Sequence, residues 1–140
     1  MKKIQQPTYD YSKLIASKKK ESQYKSFATF IDEKIHACRE SHYDGEARNF
    51  NRSTLAKMIG IDTSTLTKII NGSQGTRKRD LIIALCFALQ LNESDTALAL
   101  DLYPMAPLNS YNLRDLVIIQ ALHDKASVKQ LDDILATHNL

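Results

Sequence analysis

The sequence predicts an all-α fold. Gly and Pro are few among the 140 residues, at 4 and 3. No stretch shows the strict alternation of apolar and polar residues that is typical of a half-buried strand. Apolar residues recur instead at spacings of three and four, and 43% of all residues are hydrophobic, which is enough for a single core. At this length, one domain with additional terminal segments is expected.

The stretch Arg52–Gly72 has the pattern of two short helices joined by a tight turn. Gly60 is predicted to end the first helix, at a position that needs positive φ. Asp62 is predicted to cap the second helix by accepting from the amide of Ser64 or Thr65. Two helices joined by a short turn that contains Gly predict a helix-turn-helix. The apolar residues Leu55, Ala56, Met58 and Ile59 are predicted to lie on or near one face of the first helix, and Leu66, Ile69 and Ile70 on the inward face of the second.

The outer face of the second helix carries short hydrogen-bonding side chains and one cation. Such side chains contribute little to a core, but they can reach base edges in a DNA major groove. They are Thr63, Ser64, Thr67, Lys68 and Asn71.

Residues 1–21 form a basic N-terminal arm, with one short helix expected near Tyr11–Ser17. A basic arm can lie along phosphates or enter a minor groove, but it can equally be a flexible, solvated tail. Its apolar residues are candidates for docking on the body or on a second subunit: Tyr9, Tyr11, Leu14 and Ile15.

A helix is predicted over residues 22–42, followed by a loop over 43–51. Phe50 is expected to pack just before the next helix, with Asn51 or Arg52 at its cap. The apolar stripe of the helix is predicted to consist of Tyr24, Phe27, Ala28, Ile31, Ile35 and Cys38.

After the helix-turn-helix, residues 73–80 supply a turn and three consecutive basic residues. Thr76 is predicted to cap the next helix. Residues 81–91 are apolar on nearly every side, which indicates a central helix covered by its neighbours. The polar segment that begins at Asn92 is predicted to cap a helix that runs to about Tyr103.

Residues 104–140 are predicted to form a linker and a C-terminal hairpin of two helices, Leu113–His123 and Ser127–His138. Ser127 is the expected cap, with Gln130 as its capping-box partner. Both this hairpin and residues 79–100 begin with Arg-Asp-Leu, so the pattern is either a weak internal duplication or the generic pattern of a helical hairpin. The hairpin has too many apolar residues to stand alone, and these must cover the first domain or another subunit.

No pattern of a metal, cofactor or catalytic site is present in the sequence. His36, Cys38 and His42 have spacings that place them on different faces of one helix. Cys38 and Cys86 lie in apolar stretches without a disulfide pattern and are expected to be buried thiols. We therefore predict no cofactor, no metal and no enzymatic activity.

Residues 52–72 resemble the helix-turn-helix of the Cro/CI-like (XRE) family of bacterial and phage regulators, and the resemblance extends over about residues 24–103. It implies a five-helix lambda-repressor-like DNA-binding domain over residues 22–103, between the arm 1–21 and the linker and hairpin 104–140. It also implies a cytoplasmic homodimer on a roughly palindromic DNA site. The resemblance is carried by Leu55, Ala56, Gly60, Ile61, Ser64, Leu66, Ile69, Asn71, Gly72 and the Leu-rich segment after Arg77.

Charge is segregated along the chain. Residues 1–25 carry seven Lys against Asp10 and Glu21, a net charge of +5, and residues 48–80 also carry +5. Residues 81–140 carry −4. Positive charge therefore lies on the arm and the helix-turn-helix, where DNA phosphates would be bound, and the acidic C-terminal part is expected to face away from DNA.

These observations predict a sequence-specific DNA-binding transcriptional regulator, a repressor, that reads the major groove with helix 63–71. The alternative is a protein-interaction module of the same fold that binds a partner protein, with the C-terminal hairpin as the surface for dimerisation or for a regulatory protein or peptide. The base-contacting residues are expected to be Thr63, Ser64, Thr67 and Lys68, with Lys68 favouring guanine. The phosphate-contacting residues are expected to be Arg52, Asn71, Ser73, Arg77, Lys78 and Arg79.

Overall fold

The computed structural model describes residues 11–21, 26–40 and 50–140, and within these ranges it contains eight helices and no strand. The all-α prediction is confirmed. The helices are α1 (Tyr11–Glu21), α2 (Phe27–Glu40), α3 (Arg52–Ile59), α4 (Thr63–Asn71), α5 (Arg79–Ala88), α6 (Glu93–Leu102), α7 (Leu113–His123) and α8 (Val128–Thr137).

Helix α5 is the centre of the fold, as the apolar run predicted. It packs against α3 on one side, against α6 on another and against α8. Its six buried residues are Ile82, Ile83, Leu85, Cys86, Phe87 and Ala88. Burial raises the pKa of the Cys86 thiol to about 12, so this thiol stays protonated and inert at neutral pH.

Helix α2 contributes a core stripe that differs from the predicted one by one important residue. Phe30 is fully buried although it was not among the predicted stripe positions, whereas Ala28 and Cys38 are only partly buried. Phe27, Ile31 and Ile35 were placed correctly. Tyr24, the predicted start of the helix and most of the 43–51 loop lie outside the described residues, as does the arm before Tyr11.

The helix ends follow the predicted capping chemistry with two exceptions. Asn51, Asn92 and Ser127 cap α3, α6 and α8, and Ser127 forms the predicted capping box with Gln130. Asp62 does occupy the N-cap position of α4, but its side chain makes no capping hydrogen bond.

The second exception is at α5. Thr76 does not cap this helix, because α5 begins at Arg79 with Lys78 as its N-cap residue. The Thr76 hydroxyl instead accepts from the Lys78 amide, 3.1 Å away, and so closes a turn just before the helix.

The helix ends of the α7–α8 hairpin follow those of α5–α6 with a shift of 35 positions, except that α7 begins one residue earlier than the shift gives. Helix α6 (93–102) corresponds to α8 (128–137), and the N-cap residues Asn92 and Ser127 coincide under the same shift. The two non-glycine residues that end α5 and α7 with positive φ, Gln90 at 56° and Lys125 at 55°, also coincide. An internal duplication, one of the two possibilities left open by the sequence, predicts this agreement; two generic hairpins with the same loop length, the other possibility, predict it as well.

The two hairpins pack reciprocally, α5 against α8 and α6 against α7. Ile118, Leu122, Leu131 and Leu135 are buried in the same cluster as the core of α2–α6. Most of the apolar residues of the C-terminal hairpin therefore cover the first domain, which was one of the two predicted alternatives. None of the described helices is both long and apolar enough to cross a membrane.

Candidate nucleic-acid interface

Helix α4 presents one polar face to solvent. Leu66, Ile69 and Ile70 turn inward and are almost completely buried. On the other side Thr63, Ser64, Lys68 and Asn71 are exposed and Thr67 is partly exposed. The structure thus gathers all four predicted base-contacting residues on a single solvent-facing stripe of a nine-residue helix. A helix of this size and polarity fits the width of a major groove.

The turn before α4 fixes its direction relative to α3. Gly60 ends α3 with φ of 77° and ψ of 32°, as predicted, and the Ile61 amide donates to the Ala56 carbonyl, 3.0 Å away. The 6→1 hydrogen bond and the left-handed residue are those of a Schellman motif. Ala56 is 1% exposed, and a small side chain there lets α3 and α4 approach closely.

Arg52 ties three helices together at the edge of this face. Its guanidinium donates to both carboxylate oxygens of Asp32 on α2, and Nη1 donates to Asn71 Oδ1 at the end of α4, 3.2 Å away. Two residues predicted to contact phosphate therefore touch each other. Because Asp32 is half exposed, the ion pair contributes only about 1 kcal/mol or less to stability, and its main effect is on orientation.

The segment between α4 and α5 is held by its own backbone and by Tyr103. Gly72 ends α4 with φ of 81°, and the Gln74 amide donates a hydrogen bond to the Lys68 carbonyl, 3.2 Å away. The Tyr103 hydroxyl accepts from the Thr76 amide, 2.7 Å away. Ser73, Arg77 and Lys78, three of the predicted phosphate contacts, lie on this anchored and exposed segment.

Arg79 has a different environment from its basic neighbours. Nη1 and Nη2 donate to the two carboxylate oxygens of Asp115, at 2.8 and 2.9 Å. Nε donates to the Ala106 carbonyl and Nη2 also donates to the Pro107 carbonyl. All three guanidinium nitrogens are therefore engaged by residues 106–115, so in this arrangement the guanidinium is committed within the chain.

The Arg79–Asp115 pair is electrostatically strong because Asp115 is 6% exposed. The hydrogen bonds from Arg79 lower the pKa of the Asp115 carboxyl, and burial opposes this effect only in part. The same carboxylate raises the pKa of Arg79. The Asn109 amide also donates to Asp115, so the carboxylate fixes the linker as well as α5.

Sequence reasoning did not identify Asp32, Asp115, Asp80 or Arg114 as residues that position this surface. Arg114 donates to both carboxylate oxygens of Asp80, at 2.8 and 2.9 Å, so the two Arg-Asp dipeptides of the repeat exchange partners. The repeated Arg-Asp-Leu was the available signal. Among the described residues, no group of three or more His, Cys, Asp or Glu side chains is placed to hold a metal ion.

Comparison with known proteins assigns the helical segment just described. Residues 46–96 match the family model of the Cro/C1-type HTH DNA-binding domain, which covers α3, α4, α5 and the start of α6. Searches of curated proteins and of solved structures give no match to the chain. The family match confirms the resemblance seen in residues 52–72. The segment 46–96 is therefore similar to the Cro/C1-type helix-turn-helix DNA-binding domain, the domain of XRE-like regulators.

Proposed function

We propose that this protein is a sequence-specific transcriptional regulator that represses by occupying its DNA site as a homodimer. The observation that carries the proposal is the polar stripe of α4 within a matched DNA-binding domain. Thr63, Ser64 and Lys68 are exposed on the same face, and the buried face of the helix is fixed by Leu66 and Ile70. A rigidly held polar helix is the element that reads base edges in helix-turn-helix proteins.

Lys68 provides the most discriminating base contact on this reading. Its ammonium group can donate to guanine O6 and N7, whereas the hydroxyls of Thr63, Ser64 and Thr67 accept or donate with less discrimination. Lys68 is exposed, so its side chain can extend into the groove without disturbing the core.

The phosphate contacts are proposed on both sides of α4. Arg52 and Asn71 form one group, joined by their mutual hydrogen bond, and Ser73, Arg77 and Lys78 form the other. Contacts of this kind set the register of a protein on DNA without carrying sequence information. Arg79, the sixth predicted phosphate contact, is proposed to act indirectly, because its guanidinium already binds Asp115 and the 106–107 backbone.

A dimer is proposed because one helix of this length makes few base contacts. Two copies on a roughly palindromic site would double the contacts and give useful affinity. Proteins with this domain are typically non-enzymatic, and we propose no cofactor.

The proposal is tested by selecting binders from randomised duplex DNA with the full chain at near-physiological salt. Enrichment of an inverted repeat, with half-sites one helical turn or more apart, is the expected result. Retention of DNA without an enriched motif would contradict sequence-specific reading, and a lack of any retained DNA would contradict DNA binding itself.

A second candidate function is a protein-interaction module of the same fold. It is favoured by one observation, the apolar side chains exposed around the start of α7, which include Tyr111 and Leu113. The salt dependence separates the two functions, because a DNA complex should weaken steeply between about 50 and 200 mM salt. An apolar protein contact would change little over the same range.

A further inference from the structure

The segment between α4 and α5, residues 73–78, is largely exposed and contains two cations, Arg77 and Lys78. We call this segment the basic turn. Near its start, the Gln74 amide donates to the Lys68 carbonyl, 3.2 Å away. The start of the basic turn is therefore fixed to α4, the helix that carries the candidate base contacts.

The middle of the basic turn is tied to the end of α6. The Thr76 amide donates to the Tyr103 hydroxyl, 2.7 Å away, in a partly buried hydrogen bond. The Thr76 hydroxyl then accepts from the Lys78 amide, 3.1 Å away. Arg77 therefore lies between two backbone amides that are both held, and its exposed side chain begins at a fixed position on the surface.

Tyr103 is itself fixed by its ring and by its backbone. The ring packs edge to face on Phe27, with the ring centroids 5.1 Å apart, and Phe27 is buried in the core. The Tyr103 amide closes α6 by donating to the Ala99 carbonyl, 2.9 Å away. Pro104 follows and prevents the helix from continuing. The hydroxyl is therefore a rigid acceptor that places the Thr76 amide relative to the core.

The residues that follow Tyr103 bind the chain on the other side of the two cations. The Ala106 carbonyl accepts from Arg79 Nε, 2.8 Å away, and the Pro107 carbonyl accepts from Arg79 Nη2, 2.9 Å away. One short segment therefore contacts the chain at positions 76 and 79, directly before and after the cations of the basic turn. The backbone of the two cations is held from both directions, and their side chains stay exposed.

We infer that Tyr103 is a positioning residue for DNA binding, whose hydroxyl holds the basic turn in the arrangement that presents Arg77 and Lys78 to phosphates. The inference rests on the DNA-binding function proposed above, and it assigns Tyr103 no contact with DNA. A turn that is ordered before binding loses less conformational entropy when its long side chains are fixed on a ligand. Tyr103 therefore contributes to affinity through this order, and not through an additional contact.

The first test uses the full chain without DNA. Tyr103→Phe keeps the ring on Phe27 and removes only the acceptor, and the control Tyr111→Phe removes a hydroxyl from a tyrosine that is 98% exposed. In Tyr103→Phe, exchange of the Thr76 amide hydrogen should accelerate by about fivefold or more. The melting temperature should fall by about 5 °C or less, because water replaces one hydroxyl. Tyr111→Phe should change neither value, and unchanged Thr76 exchange in Tyr103→Phe would overturn the inference.

The second test measures binding to a fixed duplex across a salt series. Tyr103→Phe should bind about three- to tenfold more weakly than wild type at every salt concentration. The slope of log K against log salt concentration should stay unchanged, because every cation is still present. Arg77→Ala, which removes a proposed phosphate contact, should instead reduce that slope by about 1. Wild-type affinity for Tyr103→Phe, or a slope reduced as much as by Arg77→Ala, would contradict the positioning role.

A double-mutant cycle separates positioning from direct contact. In a chain that already carries Arg77→Ala and Lys78→Ala, Tyr103→Phe should weaken binding by less than about twofold, because the side chains that it positions are absent. Binding is measured at about 50 mM salt, where electrostatic binding is strong. An equal loss in both backgrounds would show that the Tyr103 hydroxyl acts on DNA by another route, and it would overturn this inference alone. A wild-type protein that binds no duplex would contradict the proposed function itself, and this inference with it.

Discussion

The guanidinium of Arg79 donates to both carboxylate oxygens of Asp115, at 2.8 and 2.9 Å, although the two residues are 36 positions apart in the sequence. Asp115 in turn accepts from the Asn109 amide. The pair therefore joins the start of α5, the linker and the start of α7. Residues 73–78, the basic turn, lead directly into α5. The C-terminal hairpin holds the start of α5 in place, and it therefore also helps to fix the position of this turn.

Arg79→Ala should destabilise the fold by about 3 kcal/mol, because it leaves the nearly buried Asp115 carboxylate without its cation. A loss of this size lowers the melting temperature by about 10 °C in a chain of this length. Arg114→Ala is the matched control: its partner Asp80 is 65% exposed, so the expected loss is about 1 kcal/mol or less. Equal losses for the two variants, measured by thermal or urea unfolding, would contradict the different roles of the two pairs.

Lys78→Ala should affect DNA binding without affecting stability. Lys78 is exposed at the N-terminus of α5, and its loss should reduce the slope of log K against log salt concentration by about 1. Arg79→Ala should leave that slope unchanged at a temperature where the variant is folded. The measurement is a salt titration of binding to a fixed duplex. A slope reduced by Arg79→Ala as much as by Lys78→Ala would restore Arg79 as a phosphate contact.

The Asp115 pair also predicts a pH dependence. Its folded pKa is lowered by Arg79, so its stabilising effect is fully present above the unfolded pKa of about 3.9. The effect is lost as the pH falls below that value toward the folded pKa. The difference in melting temperature between wild type and Asp115→Asn should therefore be constant from about pH 5 to 8 and shrink below about pH 4. A difference that grew on acidification would show that Asp115 is not stabilised as a carboxylate.

The local chemistry of the chain was largely predictable because it depends on neighbouring residues. Gly60 at a left-handed turn, Ser127 with Gln130 in a capping box and the limits of α7 follow from short-range rules. The same short-range capping rule wrongly predicted Thr76 as the N-cap of α5. Its hydroxyl does accept a backbone amide, but in a turn that ends before the helix begins.

The long-range pairs were not predictable from spacing. In the sequence, Arg77, Lys78 and Arg79 form one basic cluster. Nothing in their order indicates that Arg79, and not its neighbours, binds the buried carboxylate of Asp115, 36 positions away. Only the repeat of Arg-Asp-Leu hinted at it, since two hairpins that pack reciprocally bring their two Arg-Asp dipeptides together. Phe30 was missed for a simpler reason: the core stripe of α2 is wider than the six positions chosen for it.

Lys68→Glu should abolish sequence-specific DNA binding and leave the fold intact. The side chain is exposed on the outer face of α4, so under the proposed docking the change removes a donor to bases and places a negative charge in the groove, and it does not touch the core. Lys129→Glu, the same charge change at an exposed position of α8, is the control and should bind nearly as well as wild type. Binding is measured by fluorescence anisotropy on the selected site, with circular dichroism to check folding. Wild-type affinity for Lys68→Glu would remove α4 from the groove.

Gly60→Val should destabilise the protein through its backbone alone. The φ of 77° lies in the left-handed region, where L-residues are penalised by about 1–2 kcal/mol and β-branched ones by more. A Cβ at this position would meet no atom within 4 Å, so a clash does not contribute. The loss should therefore follow conformational preference: smallest for Gly60→Asn, larger for Gly60→Ala and largest for Gly60→Val. Urea unfolding of the three variants measures this order, and the same loss for Asn as for Val would show that something other than the left-handed turn sets the cost.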